Sequence, residues 1–70
     1  MEAKPEFDSL VQAYSPEIFA YLWRIFQDKQ RAEDCLQDTF LKAYTAYDRF
    51  NWPGYPRAWL YRIATNTAFS

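Results

Sequence analysis

Histidine is absent from this 70-residue chain, which also holds only one glycine and one cysteine. Without histidine the usual general base near neutral pH is missing. Cys35 alone cannot close an internal disulfide, and a zinc site would have to be all carboxylate or shared with another chain. A single glycine, Gly54, excludes a glycine-rich phosphate loop. The carboxylates Glu33, Asp34 and Asp38 fall on a helix surface rather than in a cleft that could hold a substrate. These gaps argue against an enzyme and against a metal or other cofactor. No apolar run approaches the roughly 20 residues of a membrane span, and the opening MEAKPEF has no signal-peptide core. No stretch reads as a strand, and there is no repeat or low-complexity tract. The expectation is a soluble, cytoplasmic protein in a reducing setting.

What the chain does have is apolar and aromatic bulk. Half of its residues are hydrophobic and 21% are aromatic. A chain this short buries only about 60% of the surface its unfolded form exposes, so large side chains are what make one compact core attainable without staples. Net charge is -1, which argues against generic nucleic-acid binding, but the charge is uneven. Residues 1–47 carry five basic and eight acidic side chains, net -3, whereas residues 48–70 carry three arginines and one aspartate, net +2.

Phe7, Leu10, Val11 and Tyr14 recur at helical spacing, and Ser15, Pro16 and Glu17 then form a helix-start signature. Ile18, Phe19, Leu22, Trp23 and Phe26 extend the stripe to about Gln27. The first third is therefore one kinked helix or two helices with a tight joint, and the proline favours two, the first of them short. Asp28 suits an N-cap. After it, Ala32, Cys35, Leu36, Thr39, Phe40, Ala43, Tyr44 and Tyr47 trace one face of a helix ending near Tyr47. Asn51, Trp52, Pro53 and Gly54 break regular structure, and Pro56 opens a last helix whose inner face is Leu60, Ile63, Ala64 and Thr67. The predicted fold is all-α: a compact bundle of three main helices, the first kinked or split, with a loop of about eight residues before the last.

Two constellations stand apart from the core stripes. Asp34, Gln37, Asp38, Leu41 and Thr45 share the opposite face of the second helix. Carboxylates four residues apart cost a few tenths of a kcal/mol in an isolated helix, so a basic partner is a candidate, with Leu41 as an apolar anchor; a solvated face with one incidental leucine is the plainer reading. The second constellation runs from Asp48 to Asn66. Phe50, Trp52 and Tyr55 lie too close together for a short loop to bury all three, and Arg57, Arg62 and Asn66 follow on the helix. Stacking rings hold bases by their faces, guanidinium groups hold phosphates, and an amide reads a base edge. Trp59, spaced with Ile63, reads as core, and Asn66 could equally cap the helix C-terminus.

The segments AEDCLQDTFLKAY (32–44) and PRAWLYRIATNTA (56–68), joined by YDRFNW, resemble region 2, the N-terminal domain of the extracytoplasmic-function group of bacterial RNA polymerase sigma factors. The resemblance covers nearly the whole chain, with both motifs in order. It implies a sigma region 2 fold over residues 1–70, without the second promoter-reading domain (region 4) and with a last helix cut short at its C-terminal end. It implies that Asp34, Gln37, Asp38 and Leu41 dock on the clamp coiled coil of the polymerase's largest subunit. It further implies that the loop, with Phe50, Asn51, Trp52 and Tyr55, captures a base flipped from the single-stranded non-template strand of the minus-ten promoter element. Asn66 becomes the base-contact candidate, and Arg57 and Arg62 the phosphate contacts. An anti-sigma factor is a further possible partner. The alternative is a sigma-like interaction module that binds polymerase or an anti-sigma factor without recognising DNA.

Overall fold

The computed structural model describes residues 6–49 and 55–69. Helix α1 spans Phe7–Phe26, α2 spans Lys29–Ala46 and runs into a single 3-10 turn at Tyr47–Arg49, and α3 spans Pro56–Ala68. No strand occurs among the described residues.

The first third is one helix, not the two that the proline favours. Pro16 lies inside α1, where it removes one backbone donor and crowds the carbonyl of Gln12, at a cost of about 3 kcal/mol. Ile18 and Leu22, both wholly buried, follow within two turns, and Leu10 precedes it. Burying such side chains stabilises by about 1.5–3 kcal/mol each, so the continuous apolar stripe outweighs the interruption.

The joint between α1 and α2 is two residues long. Gln27 takes the left-handed conformation at φ 55°, and its backbone N–H donates to the Trp23 carbonyl at 2.8 Å. Its side-chain amide donates to the Arg24 carbonyl at 3.2 Å. Two carbonyls that a helix end leaves unpaired are thereby satisfied, which offsets the left-handed backbone of a non-glycine residue. Asp28, extended, accepts from the Arg31 N–H at 3.0 Å and starts α2 as its sequence position predicts.

So short a joint makes α1 and α2 antiparallel. The Phe7 ring accordingly meets Phe40, Tyr44 and Tyr47 edge-on at 6.3, 5.3 and 5.2 Å. The core is Leu10, Ile18 and Leu22 from α1, Ala32, Cys35 and Ala43 from α2, and Leu60 and Ala64 from α3. α2 contributes small residues, which lets the larger side chains of its neighbours reach its axis. Thr39 is the one wholly buried polar residue among the described residues, and its hydroxyl donates to the Cys35 carbonyl at 2.7 Å, leaving it satisfied. Tyr44, expected on the core face, is 66% exposed, with its ring edge-on to that of Phe7. Trp59 is half-buried against the core, with its ring centroid 6.1 Å from that of Tyr47.

Candidate functional site

The acidic face of α2 forms as its spacing predicts. Asp34, Gln37, Asp38 and Leu41 are all exposed, Leu41 by 65%. Each carboxylate has a neighbour one turn away on its own helix. The Gln30 side-chain amide donates to Asp34 at 3.0 Å, and the Lys42 ammonium lies 3.7 Å from Asp38. These pairs soften the repulsion between the two aspartates without removing either from solvent. The Thr45 hydroxyl turns back to donate to the Leu41 carbonyl at 3.0 Å, so it presents no donor to a partner. Phe26 of α1 and Thr67 of α3 join Asp34, Asp38 and Leu41 around one groove. Cys35 lies at its base, and burial pushes its thiol above the ordinary range, against a hydrogen bond with Thr39 that acts the other way.

The aromatic loop divides at the limit of the described residues. Phe50, Asn51 and Trp52 lie outside them. Tyr55 occupies the N-cap position of α3 and is 83% exposed, so its ring is open to a stacking partner.

On α3 the expected contacts separate onto two sides. Arg62 and Asn66 are exposed one turn apart, with exposed Phe69 beyond them. The capping alternative for Asn66 falls away, because the helix runs on to Ala68 and Phe69 takes the C-cap position. Arg57 instead heads a row that faces α1. Its Nε donates to Glu17 Oε2 at 2.9 Å, and its guanidinium lies over the Tyr61 ring, 5.1 Å from the centroid. The Tyr61 hydroxyl donates to the same Glu17 oxygen at 2.8 Å. One turn on, Thr65 donates to the Tyr61 carbonyl at 2.8 Å, which leaves its oxygen to accept from the Tyr21 hydroxyl at 2.7 Å. This row is a strap between α3 and α1.

Burial raises the Tyr61 pKa above the ordinary tyrosine value, helped by the hydrogen bond to Glu17, and burial raises that of Tyr47. A raised folded-state value means that the native state holds the proton more tightly. The resulting stability is full below pH about 10 and is lost as pH climbs through the raised value. Urea unfolding midpoints should therefore fall above pH about 10, less steeply in Tyr61→Phe. Equal slopes in the two proteins would contradict that role.

Two residues that sequence reading passed over complete the picture. Lys42 of α2 joins Trp59, Arg62 and Asn66 around a groove between α2 and α3. Trp59 is thus both core and wall. Lys42 sits within the acidic helix motif, and nothing in its local spacing points to residues two dozen positions on. Glu17 was legible only as part of a helix start, yet it anchors the strap.

Among the described residues no helix is long and apolar enough to cross a membrane, and no cluster of three histidine, cysteine or acidic side chains could hold a metal ion.

The family model for Sigma-70 region 2 matches residues 10–70. Among curated proteins, the chain is 43% identical over 65 residues to the RNA polymerase sigma-H factor of Pseudomonas aeruginosa, covering 93% of this chain and 34% of the relative. It is 36% identical over 69 residues to the ECF RNA polymerase sigma factor SigG of Mycobacterium tuberculosis, covering 99% of this chain and 19% of the relative. It is 37% identical over 60 residues to the ECF RNA polymerase sigma factor SigW of Bacillus subtilis, covering 86% of this chain and 32% of the relative. The chain thus spans between a fifth and a third of the length of these relatives. No solved structure matches it. A family match over residues 10–70, nearly all of the chain, settles the assignment: the chain belongs to the sigma-70 region 2 family.

Proposed function

We propose that this domain serves transcription initiation by holding core RNA polymerase with one surface and unpaired promoter DNA with another. Asp34, Gln37, Asp38 and Leu41 bind the clamp coiled coil of the largest subunit. The loop with Phe50, Asn51, Trp52 and Tyr55, together with Arg62 and Asn66, traps non-template bases of the minus-ten element. Arg57 stabilises the bundle through Glu17 and reaches phosphate only with the nitrogens that bond leaves over. No catalysis is needed. Flipping a base costs a few kcal/mol, and stacking at about 1–3 kcal/mol per base with edge contacts offsets it, so the domain favours the melted promoter by binding it more tightly.

The observation that carries the reading is that Arg62 and Asn66 are exposed side by side, on a groove with Lys42 and Trp59 whose lining, among the described residues, holds no carboxylate. The test is a titration of labelled single-stranded promoter oligonucleotides against scrambled ones. Asn66→Ala is expected to lose about 1–3 kcal/mol of discrimination between them, and Arg62→Ala to flatten the salt dependence by about 0.7 in log–log slope. Unchanged discrimination and slope would refute DNA trapping by α3.

A second reading draws on the Arg57–Glu17 ion pair, which neutralises one of the three arginines of the basic half. The domain would then be an interaction module for polymerase or an anti-sigma factor that leaves DNA untouched. Absence of oligonucleotide binding with clamp binding intact would establish it.

A further inference from the structure

Glu17 of α1 sets a half-buried carboxylate against Arg57, a residue expected to hold DNA. By charge alone it is the wrong neighbour for a polyanion. One of its oxygens, Oε2, accepts both from Arg57 Nε at 2.9 Å and from the Tyr61 hydroxyl at 2.8 Å. The guanidinium lies over the Tyr61 ring, 5.1 Å from the centroid, and the Tyr21 ring meets that of Tyr61 edge-on at 5.1 Å. Arg57 is thus held at Nε by an acceptor and on one face by a ring that is itself fixed. Its two terminal nitrogens make no hydrogen bond or ion pair among the described residues. The side chain is 64% exposed, so those donors stay open to a ligand. Two residues earlier, Tyr55 exposes its ring at the N-cap of α3, with a Cα at most about 7 Å from that of Arg57.

We propose that Glu17 is a positioning residue for phosphate capture where the loop enters α3. By binding Nε it holds the Arg57 guanidinium over Tyr61, and the two terminal nitrogens become a preset fork for a phosphate of a strand stacked on Tyr55. The inference rests on the DNA-trapping reading and deepens it. A planar guanidinium matches two phosphate oxygens through parallel N–H bonds, a geometry that a loosely held point charge does not supply. An exposed arginine loses side-chain freedom when it grips a ligand, and a fork already held in place loses less. Glu17 therefore has two opposed effects, repelling the strand and ordering its donor. At such exposure water and salt screen the repulsion, so the ordering wins. This suits a chain of net charge -1, whose hold on DNA comes from placed contacts rather than from overall attraction.

The test is fluorescence anisotropy of the full chain with an end-labelled single-stranded minus-ten oligonucleotide at a series of KCl concentrations. Glu17→Ala removes a negative charge, so electrostatics alone predicts tighter binding. The positioning role predicts the opposite sign, binding about twofold to tenfold weaker, the range of one lost hydrogen bond. Glu17→Gln keeps an acceptor for Arg57 Nε and the Tyr61 hydroxyl and is expected to bind at least as tightly as wild type. Arg57→Lys keeps the charge without the fork and should weaken binding as Glu17→Ala does, with the salt slope unchanged. In an Arg57→Met background Glu17→Ala should have no further effect. Tighter or unchanged binding in Glu17→Ala, or wild-type affinity in Arg57→Lys, would overturn the proposal, as would a Glu17→Ala loss that persists in Arg57→Met. Arg62→Ala and Asn66→Ala separate it from the broader reading: if they weaken binding and Glu17→Ala does not, only the role of Glu17 falls. If none of the three does, DNA trapping by α3 falls with it. Helical circular dichroism of each variant is compared with wild type, and if Glu17→Ala loses helicity, Arg57→Lys at its exposed position decides alone.

Discussion

Replacing Leu22 with alanine is expected to lower unfolding stability by about 2–5 kcal/mol and to abolish a cooperative thermal transition. Leu22 is wholly buried and is among the largest such side chains, with Ile18 and Leu60. The buried residues of α2 are small: Ala32, Cys35, Thr39 and Ala43. Residues of that size cannot swing in to fill the void, so the cavity stays open and its full cost is felt. A single core in a chain of this length rarely supplies more than about 3–5 kcal/mol, so one such cavity removes most of the margin. Differential scanning calorimetry checks this directly. A sharp transition within a few degrees of wild type would mean that α1 is not anchored through Leu22. Leu41→Ala, at a residue 65% exposed, serves as the contrast and should leave the transition in place.

Much of this architecture was legible in the chain because local and tertiary signals agree. Asp28 caps α2, Pro56 begins α3, and the stripe from Ala32 to Ala43 faces inward, each following from short-range chemistry. Pro16 misled because its local cost is real while the burial that outweighs it lies in other helices. Tyr44 misled because helical periodicity places a residue on a face but does not say how far the neighbouring helix extends over it. The acidic face was read correctly as exposed, since spacing alone separates it from the core stripe.

The basic surface was the harder case. Helical spacing puts Arg57 in one row with Tyr61 and Thr65 and Arg62 in another with Asn66 and Phe69, as observed, but that the first row turns to Glu17 on α1 is settled by packing between helices. Lys42 reaches the α2–α3 groove through packing across 25 residues of sequence. Trp59 was read as core, and the half-buried indole satisfies that reading while leaving one side for the groove. Phe50, Asn51 and Trp52 fall outside the described residues and rest on sequence alone.

Charge reversal at Asp34 carries the other large expected effect. Asp34 is exposed on the face with Gln37, Asp38 and Leu41, and its hydrogen bond with Gln30 stays within α2. Asp34→Arg should therefore fold normally while placing a cation against a basic partner. Interface groups of this kind cost about 2 kcal/mol or more when lost, which is about 30-fold in affinity for a clamp coiled-coil fragment. Asp38→Arg should lose clamp binding similarly and leave oligonucleotide binding in place.

The central claim is that one small bundle keeps two separable binding surfaces. The direct measurement is the affinity of Asp34→Arg and Asn66→Ala, each for both a clamp coiled-coil fragment and a single-stranded promoter oligonucleotide. Asp34→Arg is predicted to lose the clamp and keep at least wild-type oligonucleotide affinity, and Asn66→Ala to weaken the oligonucleotide and keep the clamp. Loss of both ligands from either variant, with wild-type helical circular dichroism and an unchanged thermal midpoint, would contradict the claim.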